Sequence, residues 1–335
     1  MELGLYTFGD LVADPKTGKT ISSQERMRQM IELAQIADQS GLDILGVGEH
    51  HSLKFVNSAT ATTIAAMAAV TKRIRLTSAT TLISTADPVR TFQEFATADL
   101  ISEGRVELII GRGAFTEGFP LFGFDTTDYD ALFMEKLALF DELNSNERVS
   151  WKGKFRPELI DQEIAPRPSQ KKLPVWIGAG SLNSVARAAA LGYPVVIPVL
   201  GSTLDNYAQL AQVYRQSWAS SGHDPKDARI AIFSHLHVTK TYEQTSEDFF
   251  PYYSAYLEPL FKRPMPRAHY DFMLSPQGSL LGGSPQEVID KLMFIKEEIG
   301  AVRYAGQIDI GGQPFSEIVK GLELFVTKVA PVVKA

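Results

Sequence analysis

Residues 42–51 read Leu-Asp-Ile-Leu-Gly-Val-Gly-Glu-His-His, a short apolar run that ends in a polar cluster. The same form recurs at residues 74–81, 106–113 and 174–181, which end in Ala-Thr-Thr, Gly-Arg-Gly and Gly-Ala-Gly-Ser. Continuous Val, Ile and Leu segments are typical of buried parallel strands, which need helical crossovers between them. In a (β/α)8 barrel all strands end on one face, and the chemistry lies on that face. The pattern therefore predicts an enzyme built on an α/β barrel.

Eight such strands, with crossover helices between them, can be placed along the chain. They are predicted at residues 3–8, 42–47, 74–80, 105–110, 175–177, 195–199, 229–238 and 304–310. A small hairpin is predicted at 149–156, and the pairs Asp87-Pro88 and Ser284-Pro285 predict helix starts. The whole chain, residues 1–335, is predicted to form a single (β/α)8 TIM barrel domain.

The segment 239–283 interrupts this alternation between the seventh and eighth strands. It is rich in aromatic residues and contains prolines at 251, 259, 264, 266 and 276. Long insertions in barrel loops are usually functional or flexible. Two interpretations stay open: a lid that excludes water from the site, and a surface subdomain or dimer contact.

Composition excludes several classes of protein. The 335 residues carry a formal net charge of −6 and contain no Lys/Arg run, so nucleic acid is not an expected partner. The absence of cysteine excludes disulfides, thiolate metal sites and a cysteine nucleophile. No apolar stretch approaches the roughly 20 residues of a membrane span, and no basic-then-apolar signal segment opens the sequence. We expect a cytoplasmic protein without a membrane partner.

The turn Gly178-Ala179-Gly180-Ser181 follows a predicted strand and opens a predicted helix. Free backbone N–H groups, the hydroxyls of Ser181 and Ser184 and the positive end of a helix dipole together suit a phosphate. The third glycine of a dinucleotide fingerprint is replaced by Asn183, and the Lys-Ser/Thr ending of a P-loop is missing. The alternative is an ordinary glycine turn with Ser181 as the helix cap.

Two other strand ends carry candidate binding residues. Arg112 is flanked by glycines, and its planar fork matches phosphate oxygens. An ion pair between Arg112 and a neighbouring carboxylate is the alternative. Ala79 and Thr80 are small and would leave room for a flat ring system.

Histidines follow the second strand and lie within the seventh. His50 and His51, at the predicted barrel mouth, are candidates to donate or accept protons or to hold a polar ligand. Ordinary hydrogen-bonded loop histidines are the alternative. Zinc-protease spacing is missing, so no metal site is predicted. His235 and His237 alternate along the seventh strand and should therefore face one side of the sheet.

Taken together, these motifs resemble the bacterial luciferase-like flavin monooxygenase family over essentially the whole chain. The matching pieces are Gly48-Glu49-His50-His51, Lys72-Arg73-Ile74-Arg75-Leu76 with Asp87-Pro88-Val89-Arg90, Gly111-Arg112-Gly113, Trp176-Ile177-Gly178, and Gly283-Ser284-Pro285. The resemblance implies a barrel that binds FMN at the strand ends, usually as a homodimer. In the monooxygenases of the family, reduced FMN and O2 oxidise a small organic substrate.

Carried over by position, the resemblance implies roles for individual residues. Gly180, Ser181 and Ser184 would hold the FMN phosphate with Arg112, and His50 would be a catalytic acid or base. Ala79-Thr80 falls where the family often has a non-proline cis peptide under the flavin ring.

The sequence also departs from the true luciferases at two positions. Asp130 stands where they have a second phosphate-binding arginine, and Gly111 stands where they have a reactive cysteine. Asp130 is therefore a candidate to pair with Arg112 in competition with phosphate, and light emission is not expected.

The leading hypothesis is an FMN-dependent monooxygenase that receives reduced flavin from a separate flavin reductase, because no obvious nicotinamide site is visible. The alternatives are a deazaflavin-dependent hydride-transfer oxidoreductase and a catalytically silent flavin-binding protein.

Overall fold

The computed structural model describes residues 1–113 and 115–335, with the side chains of residues 259–261 left aside. Twelve strands lie in this part of the chain: β1 (Glu2–Thr7), β2 (Ile44–Val47), β3 (Arg75–Ser78), β4 (Thr81–Leu82), β5 (Val106–Gly111), β6 (Arg148–Trp151), β7 (Leu159–Glu163), β8 (Val175–Gly178), β9 (Val195–Val199), β10 (Ile230–Val238), β11 (Leu281–Gly283) and β12 (Arg303–Gln307).

Eight parallel strands close into a barrel in the order β1-β2-β3-β5-β8-β9-β10-β12. The pairing of β12 with β1, where Gly4 faces Ala305, completes the ring. The short strands β4 and β11 extend the sheet beside β5 and β10, whereas β6 and β7 form a separate antiparallel hairpin. The predicted (β/α)8 barrel is confirmed.

Helices follow the barrel strands and cover the outside of the sheet. They are α1 (Ser23–Gln39), α2 (Thr60–Val70), α3 (Pro88–Ser102), α4 (Gly118–Leu121), α5 (Tyr129–Ser145), α6 (Leu182–Ala190), α7 (Leu204–Ser220), α8 (Tyr242–Phe261), α9 (Arg267–Leu274), α10 (Pro285–Glu297), α11 (Phe315–Leu324) and α12 (Ala330–Lys334). None of the helices in the described ranges is long and apolar enough to cross a membrane.

Two predicted helix starts are confirmed by their caps. The side chain of Asp87 accepts hydrogen bonds from the amides of Val89 and Arg90 at the start of α3. At the start of α10 the Ser284 amide donates to Glu287 Oε2 over 2.7 Å. Such caps satisfy first-turn amides that have no carbonyl partner within the helix.

The barrel interior is packed, and a cluster of buried side chains from successive strands fills its middle: Tyr6, Ala79, Ile109, Trp176, Val196, Ala231, Phe233 and Ala305. Nearer the amino ends of the strands, the buried Arg303 guanidinium pairs with Glu107 and, at 2.6 Å, with Glu2. This filling leaves the opposite face, at the carboxyl ends, as the face that can accept ligands.

One detail of the predicted organisation is corrected, and the structure of the insertion is added. The hairpin strands are β6 and β7, so the hairpin reaches residue 163 instead of ending at 156. The insertion 239–283 contains α8, α9 and β11, and its aromatic residues form their own buried cluster with Phe249, Tyr253 and Tyr270 at its centre. Packing of this cluster gives the segment a regular helical structure.

Candidate functional site

Thr80 lies across the ends of two neighbouring barrel strands, β5 and β8. A β-carbon added to Gly111 would lie 2.5 Å from Thr80 Oγ1, and one added to Gly178 would lie 3.1 Å from Thr80 Cγ2. The Ala79–Thr80 peptide bond is cis, as the resemblance implies. Glycine at the ends of β5 and β8 therefore makes room for Thr80, and the three residues form a smooth floor of small groups.

The floor continues to the ends of β1 and β2. A β-carbon on Gly48 would overlap the Phe8 ring at 1.9 Å and lie 2.9 Å from the Ala79 carbonyl oxygen. The Ala79 amide donates to the Val47 carbonyl at 2.7 Å. Phe8, Gly48 and Ala79 are thus in direct contact, so the strand ends from β1 to β8 form one continuous sector of the rim.

His50 is held in an apolar environment at this rim. Its ring stacks on Phe55 at 4.0 Å and meets the edges of Phe8 and Phe115. Its Nδ1 lies 3.2 Å from Glu117 Oε1. Burial lowers the pKa of His50, and the hydrogen bond to Glu117 opposes part of that effect. A neutral ring that donates from Nδ1 leaves Nε2 as a proton acceptor.

His51 has a different environment. Its Nε2 lies 2.9 Å from Glu49 Oε1, and that hydrogen bond raises the pKa of His51. Glu49 also accepts from the Leu82 amide at 3.0 Å, and the His51 amide donates to Glu117 at 3.0 Å. His51 is therefore tied into the loop structure, and its network connects the carboxyl end of β2 to β4 and to the start of α4.

Ser181 caps α6, which agrees with the alternative that Ser181 is a helix cap. The Ser181 hydroxyl accepts from the Ser184 amide at 3.3 Å, and the Ser184 hydroxyl accepts from the Ser181 amide at 2.9 Å. Ser184 is buried, whereas Gly180 and Ser181 are exposed. The cap leaves the amides of Leu182 and Asn183 without a carbonyl partner inside the helix. They border a groove of about 560 Å³ between the starts of α6 and α7.

Arg112 pairs with a carboxylate, which confirms the predicted ion pair. Its Nη1 donates to Asp130 Oδ1 at 2.7 Å, and Arg187 Nη1 donates to the same oxygen at 2.9 Å. Hydrogen bonds from Arg187 and Arg112 lower the pKa of Asp130, so the carboxylate is ionised at neutral pH. The Arg112 guanidinium also lies over the Tyr129 ring, 5.3 Å from its centroid.

Both histidines of β10 are buried and contact the insertion. His235 Nδ1 lies 3.1 Å from the Tyr253 hydroxyl, and His237 stacks on Phe249 at 4.1 Å. Burial lowers the pKa of each histidine to about 3. Both rings are therefore neutral at physiological pH and position α8 over the end of β10.

Sequence reasoning missed two residues of this arrangement. Glu117 lies 67 residues after His50, and Arg187 lies 57 residues after Asp130. No local pattern marks either residue, because each meets its partner only through the fold. The sequence offered one signal for finding them: each is a charged residue close to a predicted strand end or helix start.

The arrangement fits a flavin mononucleotide in three respects. Two guanidinium groups and the amides of α6 suit a dianionic phosphate. The floor of Thr80 between Gly111 and Gly178, where a β-carbon would clash or crowd, suits a flat ring. The neutral His50 ring at the same rim suits proton transfer beside that ring.

The closed ring of eight parallel strands makes this chain a (β/α)8 barrel. The profile of the luciferase-like monooxygenase family matches residues 1–303. The chain therefore belongs to the luciferase-like monooxygenase family.

Individual relatives match the whole chain or about half of it. The oxygenase component of a flavin-dependent trigonelline monooxygenase from Acinetobacter baylyi is 25% identical over 357 residues, covering 99% of this chain and 95% of that protein. The F420-dependent glucose-6-phosphate dehydrogenase of Amycolatopsis mediterranei is 32% identical over 170 residues, which are 48% of this chain and 50% of that protein. These relatives indicate a flavin or deazaflavin cofactor.

Solved structures share the fold. Monooxygenase RslO1 from Streptomyces bottropensis superimposes with a TM-score of 0.87 at 22% identity over 99% of both chains. The oxygenating constituent of 3,6-diketocamphane monooxygenase from Pseudomonas putida, in complex with FMN, gives 0.82 at 22% identity over 99% of this chain and 98% of that one.

Proposed function

We propose that the protein is the oxygenase component of an FMN-dependent monooxygenase that uses O2 to oxidise a small organic substrate. The observation that carries this proposal is the continuity of the rim. The cationic end at Arg112 and the neutral His50 ring are joined through the floor of Thr80 and the glycines at positions 48, 111 and 178.

In this proposal Arg112, Gly180, Ser181 and Ser184 hold the FMN phosphate, and Ala79 and Thr80 lie under the ring. Ser184 contributes through the cap that orients Ser181, because its hydroxyl is already bonded to the Ser181 amide. When bound, reduced FMN supplies the electrons for the reaction with O2.

His50 is the proposed acid or base. Its neutral Nε2 can accept a proton from the substrate and return it, while Glu117 stabilises the charged ring through Nδ1. His51, the second predicted catalytic residue, acts in this proposal by positioning: its bonds to Glu49 and Glu117 fix the loop that carries His50.

The Acinetobacter baylyi relative is the oxygenase component of its monooxygenase, which supports a separate flavin reductase as the partner of this protein. A homodimer in the cytoplasm and a lid formed by residues 239–283 stay predictions. The contacts of Tyr253 and Phe249 with the histidines of β10 support a covering role for that insertion.

A deazaflavin-dependent hydride-transfer oxidoreductase is the second candidate, favoured by the F420-dependent relative. One experiment separates the two functions. The purified protein is titrated anaerobically with reduced FMN and with reduced deazaflavin, and each complex is then mixed with air-saturated buffer. Tight binding of FMN, with reoxidation coupled to oxygenation of a compound from a metabolite screen, supports the monooxygenase. Tight binding of deazaflavin alone, with no reaction with O2, would overturn it in favour of the second candidate.

Binding of FMN without any turnover in such a screen would favour the third alternative, a silent flavin-binding protein. In that case replacement of His50 by alanine should change nothing that can be measured except local stability.

A further inference from the structure

Two arginines from different elements converge on one exposed carboxylate oxygen. Arg112 follows β5, Arg187 lies on α6, and Asp130 lies in the first turn of α5. The Nη1 atoms of both arginines donate to Asp130 Oδ1, at 2.7 and 2.9 Å. The two guanidinium groups are therefore within two hydrogen-bond lengths of each other, and the Asp130 carboxylate lies between them.

Arg187 also belongs to the helix whose start is the proposed phosphate site. Side chains of an α-helix lean toward its amino terminus, so Arg187 covers the turn that contains Asn183 and Ser184. Arg187 therefore lies one helical turn from Asn183 and Ser184 on the same side of α6. The side chain is 34% exposed, so it is free to change its partner.

We propose that Arg187 is a second phosphate-binding cation for the flavin and that Asp130 is an internal competitor for both arginines. This inference rests on the proposed function and names the charges that set affinity at its phosphate end. The Asp130 carboxylate, an anion held by two guanidinium groups, occupies a position that one edge of a phosphate can take. When the phosphate binds, Arg112 and Arg187 contact it, and Asp130, whose side chain is 63% exposed, turns into solvent.

The charges predict whether FMN binding becomes weaker or tighter when each residue is replaced. Removing Arg187 deletes a cation from the phosphate end, whereas removing the charge of Asp130 frees two cations and deletes a repulsion. Riboflavin shares the ring but lacks the phosphate, so it should be insensitive to both changes. Conversion of Asp130 to asparagine keeps the size of the side chain and leaves an uncharged, weaker hydrogen-bond acceptor.

The experiment measures dissociation constants of FMN and riboflavin by quenching of flavin fluorescence, for the full-length wild type, Arg187→Ala, Arg187→Lys and Asp130→Asn. A charge-assisted contact to phosphate predicts about tenfold weaker FMN binding by Arg187→Ala, a smaller loss by Arg187→Lys, and severalfold tighter binding by Asp130→Asn. Riboflavin affinity should stay within about twofold of wild type in all of them.

Arg148→Ala is the matched control for loss of one positive charge. Arg148 pairs with Asp161 at 2.8 Å beyond the carboxyl end of α5, about 25 Å along that helix from Asp130. It should bind FMN like the wild type. Circular dichroism melting of every variant shows whether α6 is intact.

Each other outcome overturns the inference. If Arg187→Ala binds FMN as tightly as wild type, Arg187 does not contact the phosphate. If it loses FMN affinity and riboflavin affinity equally, the role of Arg187 is structural. Weaker FMN binding by Asp130→Asn would make Asp130 an organiser of the arginines instead of a competitor. A wild type that binds neither flavin would overturn the proposed function itself, which distinguishes that failure from a failure confined to Arg187.

Discussion

His50 and Glu117 form a partly buried pair at the rim of the barrel, with His50 Nδ1 3.2 Å from Glu117 Oε1. The two side chains come from different segments, the loop after β2 and the loop after β5. Only 8% of His50 is exposed, whereas 27% of the Glu117 side chain is. The pair therefore joins a partly solvated carboxylate to an imidazole in an aromatic pocket, and it orients the ring so that Nε2 is the free nitrogen.

Replacement of His50 by alanine should abolish substrate oxidation and leave FMN affinity within about twofold of wild type, because the ring contacts no residue of the phosphate end. The measurements are FMN fluorescence titration and product formation from the compound found in the metabolite screen. His223→Ala, which removes a half-buried histidine that lies 3.2 Å from the Ala190 carbonyl and away from the rim, is the control and should retain activity. Equal loss of binding and turnover in His50→Ala would make His50 a structural residue.

Glu117 should set the pKa of His50. Burial lowers that pKa, and the Glu117 hydrogen bond and charge raise it part of the way back. In Glu117→Gln the pKa of His50 should therefore fall further, and the neutral form should persist to lower pH. An NMR titration of the imidazole resonances checks this without any substrate. A rise in the His50 pKa would contradict the assigned geometry, and Glu49→Gln, which acts mainly on His51, serves as the comparison.

Gly111 should be required because Thr80 occupies the space beside it. A β-carbon at position 111 would lie 2.5 Å from Thr80 Oγ1 and 3.0 Å from its Cβ. Gly111→Ala should therefore weaken binding of FMN and riboflavin together and lower the melting temperature. Adding Thr80→Ala to the Gly111→Ala variant removes Oγ1, the closest of these atoms. The double variant should regain part of the flavin affinity and part of the melting temperature. No rescue by the second substitution would show that the two side chains do not share this space.

Lys291 should make the stability of the protein depend on pH. Its Nζ donates to the carbonyls of Leu280 at 2.6 Å and Leu274 at 3.1 Å, and burial lowers its pKa to about 7. Because the unfolded chain binds this proton up to a pKa of about 10.4, stability should rise with pH between about 7 and 10. Below pH 7 Lys291 is protonated in both the folded and the unfolded state, so it adds no further pH dependence to the free energy of unfolding.

The check compares urea unfolding of wild type and Lys291→Met from pH 6 to pH 9. The variant lacks the titrating group, so the free energy of unfolding of wild type relative to the variant should increase over this range. Lys296 lies on the same helix as Lys291 and its Nζ donates to the Val333 carbonyl, so Lys296→Met is the control for removal of a lysine from α10. A difference independent of pH would contradict the burial of Lys291.

Local patterns predicted the barrel well. Strand β9 has the predicted bounds, and the ends of β2, β5 and β8 carry the expected polar clusters. Periodicity and caps are properties of neighbouring residues, so they can be recognised without the fold. The polar clusters then follow from the common direction of parallel strands.

The insertion was harder to predict. The sequence left the structure of this segment open, and α8 runs through the prolines at 251 and 259. Burial of Phe249 and Tyr253 in the aromatic cluster outweighs the loss of helix hydrogen bonds at those positions. The intrinsic preference of a residue is overridden when its neighbours pack well.

The partners of the site residues could not be predicted at all. Glu117 and Arg187 complete the environments of His50 and Arg112, but the sequence separation hides both relationships. The pairing of Arg112 with Asp130 was anticipated only as a possibility, and the structure adds the second arginine that shares the same oxygen.

The most direct test of the central claim compares the affinities of FMN and riboflavin for wild type and Arg112→Ala. If one rim holds a phosphate at Arg112 and a flavin ring over Thr80, wild type binds FMN more tightly than riboflavin, and Arg112→Ala weakens FMN binding and reduces that difference while riboflavin affinity stays the same. A wild type that binds neither flavin, or an Arg112→Ala variant that keeps the full preference for FMN, would contradict the claim.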